Sequence, residues 1–136
     1  MSKRKKHLLI LAFVVLAAVA ALLHFRPQTP LAHLQPDQID TMFVYVMPPE
    51  EKVVLTGEQS AQAVELLQDL KISRKGYRLL GAGGQTVKFT LVCKDGTGLE
   101  VVNFGNAVIY MNGQSYKAEY TSAHALSTFA NQIIAE

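Results

Sequence analysis

The sequence predicts an α+β protein: an N-terminal transmembrane helix, then one domain with an antiparallel sheet and two helices packed on one face. Three observations carry this. Leu8 to Leu23, LLILAFVVLAAVAALL, is an uninterrupted apolar run behind a cluster of cations. From Gln85 onward apolar and polar residues alternate, with Val87, Phe89, Leu91 and Cys93 set against Thr86, Lys88 and Thr90. The turn pairs Asp95-Gly96, Gly105-Asn106 and Asn112-Gly113 divide that stretch into strands. Two further stretches, 56–70 and 121–135, repeat their apolar residues at three- and four-residue steps, the helical period. Each such element has one apolar face to bury, and helices laid on one side of an antiparallel sheet bury both.

The apolar run decides which solvent the rest of the chain meets. Sixteen residues make a helix of roughly 24 Å at 1.5 Å per residue, and adding His24 and Phe25 brings it close to the ~30 Å hydrocarbon core. Lys3, Arg4, Lys5 and Lys6 precede it and only Arg26 follows closely, so the positive-inside rule keeps the N-terminus in the cytoplasm and exports the remainder. Residues 1–25 are therefore read as a signal-anchor helix in the cell membrane, with the C-terminal domain extracytoplasmic. The competing reading is a cleaved signal peptide with an A-x-A-like site at Ala18-Val19-Ala20; the run is longer than the usual ~7–15 residue signal core, which favours the anchor. A buried helix of a soluble core would not carry four cations at its dipole-positive end.

Five of the thirteen Lys and Arg residues lie in or beside this segment. The remaining eight face eleven Asp and Glu, so the exported part is mildly acidic, at −3, and no nucleic-acid partner is expected. A lone cysteine, Cys93, excludes an intramolecular disulfide and a Cys-rich zinc site. About a hundred residues beyond the anchor suffice for one domain.

Residues 26–38 contain Pro27, Pro30 and Pro36 and no apolar period, which predicts an extended stalk. The domain follows at 39–136. Ile39 to Met47 is rich in β-branched and aromatic residues and stops at Pro48-Pro49, and Lys52 to Leu55 pairs back on it. Thr56-Gly57-Glu58-Gln59 matches a capping box, opening a helix whose apolar stripe is Ala63, Val64, Leu67 and Leu70. Tyr77 to Leu80 is read as a third strand. At Asn112-Gly113, a type I′ pair, Met111 should face Gln114 and Ile109 should face Tyr116. Thr121 or Ser122 should cap the last helix, with Leu126, Phe129, Ala130 and Ile133 inward.

The residues that could carry chemistry are few, and no catalytic, cofactor or metal site is expected. Cys93 ends an alternating strand among apolar neighbours, which predicts a buried structural thiol. His124 is the one histidine in the domain, and a Cys93–His124 pair would be needed for a thiol enzyme or small hydrolase. No GxSxG or SxxK string is present. Glu50-Glu51 is an adjacent pair in a turn, His33, Asp37 and Asp40 fit no helical face, and Gly81-Ala82-Gly83-Gly84 lacks phosphate-loop spacing and leads into a strand. One cluster is less ordinary: Lys71, Arg74, Lys75 and Arg78 are half of the domain's cations, within eight residues. They read either as charges complementing the end of the first domain helix or as a patch for anionic lipid head groups, envelope polymers or an acidic protein.

Ile39, Leu55-Thr56, Glu58-Gln59, Leu67, Leu70, Asp95-Gly96, Phe104-Gly105-Asn106, Ile109, Asn112-Gly113 and Tyr116-Lys117 together give a layout that resembles the small exported, membrane-tethered proteins of Gram-positive bacteria whose function is unknown. The resemblance spans residues 39 to 135 and implies an extracytoplasmic domain of related shape; its landmarks are turns, caps and core positions. The expected function is a membrane-tethered, non-catalytic binding or interaction module. The alternatives are the Cys93–His124 enzyme and a secreted inhibitor released by signal cleavage.

Overall fold

The computed structural model of the chain describes residues 2–79 and 83–136. Helix α1 runs from Lys3 to Phe25, with the Ser2 hydroxyl accepting from the Lys5 N–H at its start, and none of its residues is buried. It is long and apolar enough to cross a membrane. The domain that follows has strands β1 (Ile39–Met47) and β2 (Glu51–Val54), helix α2 (Gly57–Gln68), strand β3 (Ile72–Ser73), strands β4 (Thr86–Cys93), β5 (Gly98–Phe104), β6 (Val108–Met111) and β7 (Gln114–Ala118), and helix α3 (Tyr120–Ala135). The strands form one sheet in the order β2-β1-β4-β5-β6-β7-β3, antiparallel at every neighbouring pair. This is the α+β fold that the two periodicities predict.

The period-2 pattern sorts the sheet into two faces. Val44, Phe89, Val101 and Met111 are register partners in series across β1, β4, β5 and β6, and all four are buried. Ala63, Val64 and Leu67 of α2 and Ala123, Leu126, Phe129, Ala130 and Ile133 of α3 close the same core. The Phe89 and Phe129 rings stack at 6.4 Å. Asn103, a deeply buried polar side chain on the sheet, is fully provided for: its amide donates to the Ala123 carbonyl (2.8 Å) and to Asn106 Oδ1 (2.9 Å), and its oxygen accepts from the Asn106 N–H (3.0 Å). It ties the β5–β6 turn to the start of α3 at no cost in unpaired groups.

Local chemistry sets the turns and caps. The Thr56 hydroxyl accepts from the Gln59 N–H and the Gln59 side chain accepts from the Thr56 N–H, as the capping box predicts. Asn112 and Gly113 take φ of 53° and 74°, and Met111 faces Gln114 while Ile109 faces Tyr116. In the β4–β5 turn, Asp95 accepts from the Thr97 hydroxyl (2.6 Å) and N–H (2.9 Å), which hold its carboxyl below the ordinary value. Gly105, at φ +59°, brings two loops together backbone to backbone, since a Cβ there would lie 2.7 Å from the Gly83 carbonyl oxygen.

Four expectations are corrected. Residues 26–38 do not form a free stalk: Gln28 pairs with Ile72, Pro36–Gln38 is a single 3-10 turn, and Leu31 and Leu34 are buried in the domain core. The prolines keep this segment out of regular structure without keeping it in solvent. The third strand is Ile72–Ser73, not Tyr77 to Leu80; Tyr77 to Leu79 form no strand, and Leu80, like Gly81 and Ala82, lies outside the described residues. Helix α3 begins one residue before Thr121, because the Glu119 carboxylate reaches the Ser122 N–H and takes the cap role. Cys93 is half-buried, packed on the margin of the core.

Candidate cationic site

Lys71, Arg74, Lys75 and Arg78 follow α2, but the last turn of α2 holds no basic residue. They lie beyond its C-cap Asp69, and a net of backbone hydrogen bonds fixes the segment that carries them. The Gln28 N–H donates to the Ile72 carbonyl (2.8 Å) and the Ile72 N–H donates back (2.9 Å), so the chain leaving α1 covers the exposed side of β3. Two residues on, the Arg74 N–H donates to the His24 carbonyl in the last turn of α1 (3.0 Å). On the other side, the Gly76 N–H donates to the Ser115 carbonyl of β7 (2.7 Å) and the Glu119 N–H donates to the Lys71 carbonyl (3.0 Å). The cationic segment is held between the sheet edge and the C-terminal end of α1.

Within it the four side chains separate. Lys71 turns toward α3 and pairs with Glu119 at 3.6 Å. The Arg74 guanidinium carbon lies 4.6 Å from the centre of the Phe25 ring, a cation–π contact with the last residue of α1. Lys75 and Arg78 are exposed. Arg74 and Lys75 border a cleft of about 230 Å³ that Leu23 and His24 line from α1 and Tyr116 lines from β7. The cluster was legible in the sequence as a charge run; its apposition to Leu23–Phe25 was not, because it depends on the Gln28–Ile72 pairing, and no local pattern announces that.

The remaining candidates are dispersed. Cys93 lies six residues along β4 from Val87, the partner of Asn103, and Asn103 touches the first turn of α3, so roughly 20 Å of strand separates Cys93 from the region of His124. His124 is exposed and its ring stacks on Tyr120 at 5.3 Å. The structure thus does not bring the thiol and imidazole together. Cys93→Ala is expected to cost about 1 kcal/mol or less, as suits a half-buried small group, and to leave association unchanged. Urea midpoints and a binding assay on the same variant check both halves of that expectation. Glu50 and Glu51 are exposed, as are His33, Asp37 and Asp40, and among the described residues no three His, Cys, Asp or Glu side chains are grouped to hold a metal.

The sheet face away from the helices carries a second concavity, about 400 Å³, lined by Phe43, Tyr45, Lys52, Lys88, Thr90 and Glu100. Sequence reasoning placed Lys88 and Thr90 on the polar side of the alternation and singled out none of the six as a site. Their cations are already engaged: the Lys52 ammonium sits 4.5 Å from the Phe43 ring centre, and Lys88 lies 5.7 Å from that of Tyr45 and 3.8 Å from Glu100. Comparison of the chain with models of protein families, with curated proteins and with solved structures finds no match.

Proposed function

We propose that the protein is a membrane-tethered, non-catalytic interaction module. In this reading α1 spans the cell membrane once, its N-terminus stays in the cytoplasm, and residues 26–136 work at the outer surface of a bacterial cytoplasmic membrane, holding a protein or envelope polymer there. The observation that carries it is the join between helix and domain. Helix α1 has an apolar surface none of whose residues is buried, and its last turn is hydrogen-bonded to Arg74 in the domain. A flexible leader would have no such fixed attachment, whereas an anchor that orients a domain against the bilayer would. The bound partner is expected on the helix-free sheet face, where Phe43 and Tyr45 give contact area and Lys52, Lys88 and Glu100 give polar specificity.

The test is topological. A reporter fused after Glu136 is expected to be active only outside the cytoplasm, with the full-length mass retained in the membrane fraction after alkaline carbonate extraction, because Lys3 to Lys6 hold the N-terminus inside. Cytoplasmic reporter activity in inserted protein overturns the orientation. A mature mass starting after Ala20 overturns the anchor and returns the secreted reading.

A further inference from the structure

We infer that the cleft between the end of α1 and β3 is a binding site for the phosphate of an anionic phospholipid head group, held by Arg74 and Lys75. The inference rests on the tethered reading above, and it adds a ligand class and the residues that take it.

Depth in the membrane comes first. If the apolar run from Leu8 fills the hydrocarbon core, about 18 residues bring the chain to Phe25, and His24, Phe25 and Arg26 then lie at head-group level. The Arg74 N–H is bonded to the His24 carbonyl, and its guanidinium stacks on Phe25. Its depth is therefore set by the helix itself, whichever side of the membrane the domain occupies.

The chemistry of the cleft fits that depth. Its α1 wall offers Leu23, an apolar surface continuous with the membrane-facing helix, while its domain wall offers Ser73, Arg74, Lys75 and Tyr116. An acyl chain beside Leu23 would leave its phosphate next to two cations and two hydroxyls. Neither cation is neutralised: among the described residues the ion pairs are Lys71–Glu119 and Lys88–Glu100, and Arg74, which stacks on Phe25, and Lys75 have no carboxylate partner. Nearby Arg26 adds to the positive field.

The backbone gives an independent indication. Arg74 has φ +52°, in the left-handed region that side-chain-bearing residues seldom occupy and glycine occupies freely. An arginine kept in such a conformation projects a guanidinium where the turn alone would not require one.

The experiment uses the full-length chain in zwitterionic detergent micelles, titrated with dihexanoyl phosphatidylglycerol, with dihexanoyl phosphatidylcholine and with inorganic phosphate, and followed by amide shifts of residues 72–76 and Tyr116. Saturable shifts with phosphatidylglycerol are expected. The Kd should rise about 10- to 30-fold in Arg74→Gln/Lys75→Gln, following the contribution of each cation near a charged surface. Arg74→Gly, whose glycine suits the left-handed backbone, folds without the cation and should weaken binding in the same direction. Phosphatidylcholine should bind at least tenfold more weakly than phosphatidylglycerol, and affinity for the latter should fall with added salt. Equal binding of the two lipids, wild-type affinity in both variants, or the same saturation by inorganic phosphate overturns the proposal, the last by making the ligand a free anion. Neither variant changes α1, so carbonate extraction reports on the tether separately: loss of lipid binding in a chain that remains membrane-integral removes the cleft alone.

Discussion

Phe89→Ala is expected to destabilise the domain by about 3–5 kcal/mol, enough to remove much of the ~5–15 kcal/mol that a domain of this size has. Phe89 is fully buried on a central strand of the sheet, between its register partners Val44 and Val101. Its ring stacks on Phe129, so truncation leaves an apolar void under α3 that neighbouring β-strands, fixed by their ladders, cannot collapse to fill. Urea unfolding of full-length protein in micelles, followed by a probe in the domain, should show a lower midpoint with little change in slope. Tyr45→Ala, on the other face of the same sheet, is the matching control. It is half-exposed and contacts Lys88, and it should cost far less. Similar losses at both positions would mean that the sheet is covered on both faces.

That contrast between faces was readable in advance because β4 keeps its period from Thr86 to Leu91, with Val87, Phe89 and Leu91 buried and Lys88 and Thr90 half-buried on the other face, and loses it only at Cys93. Turn chemistry was equally readable: Asn112-Gly113 and the Thr56/Gln59 box depend only on residues within four positions of one another. What local rules could not give were the features decided across the fold. Leu31 and Leu34, three apart among prolines, carry the weak signal of an apolar contact, yet whether they bury depends on where α2 and the sheet edge lie. Ile72–Ser73 is too short to show a period at all, and it is a strand only because β7 lies beside it. The sequence offered Thr121 and Ser122 as caps of α3, and Glu119 takes the role instead because its longer side chain reaches the Ser122 N–H. The cationic site divides along the same line. Its composition is local and its depth against α1 is not.

Val14→Lys combined with Val15→Lys is expected to abolish stable membrane integration while leaving the domain folded. Both positions lie near the middle of α1, where a lysine costs ~2.5–3.5 kcal/mol on insertion, so the pair costs roughly 5–7 kcal/mol before snorkelling is counted. No residue of α1 is buried, and the helix meets the domain only at its C-terminal end, through His24 and Phe25. The substitutions, two to three turns away, have no core to disturb. Carbonate extraction should therefore move the variant from the membrane to the soluble or aggregated fraction, while limited proteolysis still yields a resistant fragment beginning near residue 26. A variant that remained membrane-integral would show that α1 is not what holds the protein in the bilayer. A variant that left the membrane with its domain proteolytically open would show that the domain depends on membrane attachment for its stability, since the Arg74–His24 bond lies within the chain and is untouched by the substitutions.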